Sequence, residues 1–314
     1  MTRPDQNDCA VVFCCDRKFY PMALFMIRQI EFHNPGRKFD FVIASRDTLE
    51  APDWAHPLGI VFHRSGDLPD HVGLKSYTGS TVPLYRLPLP RELGSRYRRL
   101  LYVDSDMFVE GGDLNRLFAM DIGSHPLGAV LDAPYLYDEG HRAREFVRLN
   151  WPALPYLNAG FQLIDTARYV DQDVDIRAFD ACRTHPQVLV YADQSILNIA
   201  LKGKFAELAP CWNWQSAARL PLMSLSYPVL FWHFIGHKKP DSDFPHLLDA
   251  RFAEAYRDFA TRFMPEFLPQ VPQRKALEPL RFGQLLKIGM QHMAARKVTA
   301  RLLARYPDPY LAKV

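Results

Sequence analysis

The sequence predicts an α/β protein with a mostly parallel central sheet and a helical C-terminal extension. Short apolar runs read as buried strands, and each stops at a carboxylate: Ala10–Cys15 at Asp16, Leu100–Val103 at Asp104, Leu127–Leu131 at Asp132. An amphipathic pattern from about residue 20 to 32 (Met22, Leu24, Phe25, Met26, Ile27, Ile30) lies between the first run and another, Phe39–Ala44. That β-α-β order suggests an open, doubly wound sheet with ligands at its strand ends. At 314 residues, with 48% hydrophobic and 23% charged residues, the chain can bury a sizeable core.

The remaining elements follow in order. Leu58–Phe62 reads as a third strand, within a stretch from Pro52 to Pro90 whose prolines favour extended connections over long helices. Phe161–Ile164 is a short strand introduced by Tyr156–Gly160. A helix is expected from about Asp193 to Leu201, its acidic start suited to the helix dipole. Pro228–Ile235 reads as a late strand broken at Gly236. No G-x-G-x-x-G follows the first strand, which disfavours a dinucleotide site.

Charge is unevenly spread. Residues 271–314 hold nine Lys/Arg against two Asp/Glu (+7), whereas the other 270 hold twenty-nine against thirty-three (−4). A mildly acidic body argues against nucleic acid as a partner, and the basic tail suggests a separate task. The five cysteines show no Cys-x-x-Cys spacing and read as reduced, small hydrophobes. No stretch approaches the roughly 20 apolar residues that cross a bilayer. Met1–Asp8 lacks the apolar core of a signal peptide, so a cytoplasmic location is expected.

The chemistry concentrates at Asp104-Ser105-Asp106, directly after an apolar run. On an extended backbone residues i and i+2 face the same side, so both carboxylates can share one target. Two close anions repel unless a cation lies between them. A hard divalent ion, Mg²⁺ or Mn²⁺, fits oxygen ligands and in turn bridges phosphate oxygens.

Several blocks accompany this motif in order: Val11–Asp16, Tyr85-Arg86-Leu87, Leu101–Asp106, Asp113-Leu114, Leu117-Phe118, Tyr156–Gly160, Asp193–Asn198 and His233–Pro240. Over about residues 10 to 240 the set resembles glycosyltransferase family 8, retaining enzymes that include glycogenin and bacterial lipopolysaccharide galactosyl- and glucosyltransferases. The resemblance implies a GT-A fold, one α/β domain binding a nucleotide sugar, here taken as residues 1–245, with 246–314 as the basic helical extension. It also implies a residue set. Asp104, Asp106 and His233 match the metal ligands, and an imidazole beside two carboxylates favours Mn²⁺ over Mg²⁺. Lys239 matches the basic residue that reaches the diphosphate, with Gly236 in the same closing loop. Asp16 and Phe19 match contacts to the nucleotide, and Arg86 would grip diphosphate or sugar bidentately. Asn158, Asp132, Asp193 and Gln194 match residues lining the donor sugar and acceptor.

Two positions depart from the pattern: Asp241 stands where the family usually has Trp, and Lys18 where bacterial relatives carry a small polar residue; the position matching the family's candidate nucleophile is Gln194, an amide and a poor nucleophile. The implied reaction moves a glucose or galactose from a UDP-sugar to a saccharide or lipid-linked hydroxyl, metal-dependently and with retention. A metal-dependent phosphatase or nucleotidyltransferase would need neither His233 nor the Asn158–Gly160 block, and a non-catalytic sugar-nucleotide binder would be marked by a broken metal triad. From Leu277 to Tyr306 apolar and basic residues alternate as in helices that lie on anionic membranes, which would make the protein peripheral. Packing on the body or in a dimer is the competing use of that helix.

Overall fold

A computed structural model describes residues 7–70, 81–215, 223–236, 239, 250–270 and 281–314. Its strands are β1 (Cys9–Cys14), β2 (Asp40–Ser45), β3 (Val61–Arg64), β4 (Arg99–Val103), β5 (Met107–Val109), β6 (Leu127–Leu131), β7 (Leu157–Asp165), β8 (Ala206–Glu207), β9 (Trp214–Gln215) and β10 (Phe231–His233). They form a 7-stranded sheet, β3-β2-β1-β4-β7-β6-β8, and a 3-stranded sheet, β5-β10-β9. The large sheet is parallel except at β7, which runs antiparallel to both β4 and β6. β1, β4 and β6 are buried along their whole length, which is why they read as continuous apolar runs.

The helix Tyr20–His33 returns the chain from β1 to β2, with Pro21 in its first turn where no backbone donor is needed. Asp16 takes the Phe19 N–H on Oδ1 at 3.0 Å, and its carbonyl takes that of Tyr20 at 3.0 Å. The helix Ala192–Leu201 packs on β7 and on the helix Val174–Thr184. Asn198, fully buried, clamps it to β7 by accepting from Leu157 N–H (2.8 Å) and donating to Leu157 O (2.9 Å).

The observed elements differ from the expected ones in three places. Residues 53–58 form a 3-10 turn closed by Gly59 at φ 63°, so β3 starts only at Val61. β7 begins at Leu157, so the Asn158–Gly160 block lies inside the strand and does not merely lead into it. β10 is confined to Phe231–His233, because only those residues pair with β5. All five cysteines are free and buried.

The C-terminal helix, Phe282–Arg305, has two halves. Ala295, Thr299 and Leu302 bury one face of its second half, whereas Phe282, Leu285, Leu286, Met290 and Met293 are exposed. The chain then returns to the large sheet. Lys313 exchanges backbone hydrogen bonds with Glu207 of β8, Trp212 Nε1 donates to Pro309 O at 2.7 Å, and Asp113 N–H donates to Tyr310 Oη at 2.8 Å. Among the described residues no helix is long and apolar enough to cross a membrane. The 245/246 boundary, His237, Lys238, Pro240, Asp241 and residues 277–280 lie outside the described residues.

Candidate functional site

β4 belongs to the large sheet and β5 to the small one, so Asp104-Ser105-Asp106 is the joint where the chain passes between them. Register brings the third group in. His233, the last residue of β10, pairs with Met107, the first of β5. Its Nε2 lies 3.7 Å from Asp104 Oδ2 and 3.5 Å from Asp106 Oδ1. One ligand atom from each residue falls within 4.8 Å of the others. β7 supplies the floor: Gly160 O accepts from Asp104 N–H at 2.8 Å. A Cβ at Gly160 would meet the His233 ring and stand 2.8 Å from Asp104 Oδ2.

These residues fit a divalent cation. Among the described residues Asp106 Oδ1 is buried with no hydrogen-bond partner, although buried carboxylate oxygens normally have one. Its other oxygen is held by Lys239, whose ammonium also donates to Phe234 O at 3.0 Å. Burial opposes ionisation of Asp106, but the Lys239 ammonium on its carboxylate outweighs it and holds the carboxyl below its usual range. Burial keeps His233 below the usual imidazole range against the pull of both carboxylates. Its Nδ1 meets Asn213 Oδ1 at 2.9 Å, leaving Nε2 toward the carboxylates. Two carboxylates and a neutral imidazole form an oxygen-and-nitrogen donor set suited to Mn²⁺ or Mg²⁺.

Arg86, itself buried, is the organising cation on the other side. It donates to Asp104 Oδ1 (2.9 Å), Ala159 O (2.7 Å) and Pro83 O (2.9 Å), and pairs with Asp193 Oδ2 at 3.3 Å. Tyr102 Oη also donates to Asp104 Oδ1, at 2.7 Å, and its ring lies under the guanidinium at 4.3 Å. Burial works against the charge of Arg86, yet Asp104 and Asp193 raise its pKa further.

The sugar-side candidates form a second cluster linked to the first. Asn158 Nδ2 donates to Asp132 Oδ1 at 3.1 Å, and Ala159 N–H donates to Gln194 Oε1 at 3.1 Å. Asp132 is raised by burial despite hydrogen bonds from Asn158 and Gln194, and Asp193 by burial despite Arg86. Asp16 and half-buried Phe19 stand at the carboxyl end of β1, the strand beside β4. Gly236, at φ 74°, has open space around it, three residues beyond His233.

Sequence reasoning missed the supports. Asn213 joins His233 to Asn158, and Gln215 brackets Asp132 by donating to Leu131 O (3.0 Å) and accepting from Ala133 N–H (2.8 Å). Ser195 accepts the N–H groups of Val190 (3.1 Å) and Tyr191 (2.7 Å) and donates to buried Glu145. The available signal was Trp212-Asn213-Trp214-Gln215, polar residues alternating with tryptophans on a short extended segment.

Comparison with known proteins agrees with this architecture. The model of glycosyl transferase family 8 matches residues 71–243. The chain is 26% identical over 250 residues to glycosyltransferase GlyF of Streptococcus pneumoniae serotype 4, an alignment covering 74% of this chain and 56% of GlyF. It is 28% identical over 126 residues to lipopolysaccharide 1,2-glucosyltransferase of Escherichia coli K12, covering 40% of this chain and 36% of that protein. The chain thus spans little more than half the length of GlyF. Galactosyltransferase LgtC, solved with donor and acceptor sugar analogues, superposes with a TM-score of 0.67 at 21% identity, over 83% of this chain and 100% of LgtC. That likeness establishes a GT-A fold. With more than half of its residues matched by the family model, this chain belongs to glycosyltransferase family 8.

Proposed function

We propose that the protein is a retaining hexosyltransferase that moves glucose or galactose from a UDP-sugar to the hydroxyl of a saccharide or lipid-linked acceptor. The observation carrying this reading is the junction at Asp104, Asp106 and His233, at the ends of β4 and β10, where one buried carboxylate oxygen lacks a hydrogen-bond partner among the described residues. These three residues would hold Mn²⁺, or Mg²⁺ in its place. When bound, the cation supplies Lewis-acid stabilisation of charge on the departing diphosphate.

The chain's own residues supply the rest. Lys239, now on Asp106, brings a second positive charge to the diphosphate side. Arg86 keeps Asp104 and Asp193 in place and contributes fixed positive potential. Asp16, Phe19 and Gly236 would border the nucleotide, while Asn158, Asp132, Asp193 and Gln194 would read the sugar hydroxyls. Buried donor–acceptor pairs of this kind discriminate because a mismatched hydroxyl leaves them unpaired.

Front-face attack fits this arrangement better than double displacement. Gln194 is an amide, Asp193 faces Arg86, and Asp132 accepts from Asn158, so none of these three candidates offers a bare carboxylate to the anomeric carbon. The acceptor proton would pass to the departing phosphate oxygen. The exposed apolar stripe of the C-terminal helix, flanked by Arg281, Lys287, Arg296 and Lys297, supports a peripheral position on an anionic membrane where a lipid-linked acceptor would be met.

Release of UDP from a panel of UDP-sugars, with Mn²⁺, Mg²⁺ or EDTA, tests the proposal. Slow metal-dependent hydrolysis of one donor supports it and names the sugar. Absence of UDP binding under every condition overturns it.

A further inference from the structure

Asn213 is wholly buried between the 3-10 turn Pro210–Trp212 and β9, and its amide is used at both ends. Nδ2 donates to Asn158 Oδ1 at 2.9 Å, and Oδ1 faces His233 Nδ1 at 2.9 Å. The direction of this chain of amides is set by a group that cannot reverse. Gly160 N–H donates to Asn158 Oδ1 at 3.1 Å, so that atom must be the carbonyl oxygen. It can only accept, so Asn213 must present its NH₂ there and its oxygen to His233. The His233 Nδ1 must then carry the ring proton, and the lone pair falls on Nε2.

This outcome runs against local electrostatics. Asp104 Oδ2 and Asp106 Oδ1 lie 3.7 and 3.5 Å from Nε2, and a neutral imidazole in that field would place its proton on Nε2, facing them. A proton there would occupy the direction a cation needs. We propose that Asn213 is a positioning residue that fixes His233 as the Nδ1–H tautomer, making Nε2 a metal ligand. Through Asn158, which donates to Asp132 at 3.1 Å, it also links the cation site to the sugar-side cluster. The inference rests on the metal reading above. Outer-shell partners of ligating histidines typically change metal affinity by roughly 10–100-fold.

The test uses the full chain and Mn²⁺ alone. Calorimetry follows binding to the wild type, N213L, N213D and D106N, and long-range ¹H–¹⁵N spectra of the metal-free proteins report the His233 tautomer. Thermal melting checks that each variant is folded. The wild type is expected to show the Nδ1–H tautomer. N213L should switch to Nε2–H and lose roughly 10–100-fold in Mn²⁺ affinity. N213D keeps an acceptor for Nδ1–H but loses the donor to Asn158 Oδ1, so it should retain the tautomer and recover only part of the affinity. Wild-type affinity and an unchanged tautomer in N213L overturn the proposal while leaving the metal site standing. If N213L does not fold, loss of the Nδ1–H signal in folded N213D overturns it equally. A wild type that binds no Mn²⁺, or D106N that binds it normally, refutes the metal reading instead, and the ring spectra then decide the tautomer independently.

Discussion

At Asp106 a single carboxylate meets opposite demands: Lys239 neutralises one oxygen, and the other is buried without a hydrogen-bond partner among the described residues. Converting Asp106 or Asp104 to Asn removes a negative ligand and should cost at least the roughly 10–100-fold in Mn²⁺ affinity that outer-shell changes cost, with UDP release lost as well. Calorimetry and the UDP-release assay check this together, and near-normal turnover in either variant would refute the assignment. Gly160 is the second sensitive position, because an added methyl would stand 2.8 Å from Asp104 Oδ2 and against the His233 ring. Gly160→Ala should cost about 1–3 kcal/mol of stability by overpacking and weaken Mn²⁺ binding, both measurable on one preparation. Asp193 sets a pH dependence. Its folded pKa is raised by burial, so the folded state binds the proton more tightly than the unfolded chain. Its contribution to stability is therefore present below the ordinary carboxylate range and is lost as pH rises through the folded value. Urea unfolding from pH 4 upward should show that downward slope in the wild type and a flatter one in Asp193→Asn.

The helix Ala192–Leu201 positions Asp193 and Gln194, and its start is fixed from a distance. Ala192 adopts φ 22°, a conformation that costs energy outside glycine, and Ser195 holds the preceding turn to the buried Glu145. Ser195→Ala would orphan Glu145 Oε1 in part and two backbone N–H groups. About 1–3 kcal/mol of stability should be lost, together with turnover, because Asp193 and Gln194 shift; chemical unfolding and the UDP-release assay measure the two effects. The same geometry explains what the sequence disclosed. β1, β4 and β6 are buried on both faces, so their runs and the carboxylates ending them were legible without coordinates. His233 was reachable only through the ordered family blocks, since its neighbours in sequence are aromatic. The supports were hidden because each partner lies far along the chain: Asn213 bonds a residue 55 positions away, Ser195 one 50 away, and Gln215 one 82 away. β10 was over-extended because Pro228–Leu230 is apolar for packing while only Phe231–His233 joins the ladder.

At the scale of the whole molecule, the C-terminal segment has two separable parts, one packed on the body and one exposed. Its last residues close the body: Arg305 pairs with Glu207 at 2.6 Å, Arg301 donates to Leu136 O at 2.6 Å beside the Asp132 strand end, and Lys313 joins β8. Deleting everything beyond residue 270 would strip Trp212 of its Pro309 and Tyr310 contacts, so lost membrane binding in that truncation would report unfolding as readily as docking. Surface substitutions separate the two. Phe282, Leu286, Met290 and Met293 recur every three or four residues along the exposed half of the helix, and Lys287 and Arg296 lie close by in sequence. Replacing Phe282, Leu286 and Met290 by Glu removes apolar contact area and adds three negative charges toward an anionic surface. The triple variant should lose binding to phosphatidylglycerol-containing vesicles while its melting temperature and its UDP release from free donor stay at wild-type values. Leu302→Ala, on the buried half, should do the reverse: about 2–5 kcal/mol of stability lost and vesicle binding kept as long as the chain is folded. Vesicle co-sedimentation beside melting curves distinguishes the cases, and a wild type that fails to sediment with anionic vesicles would end the membrane reading of the exposed stripe.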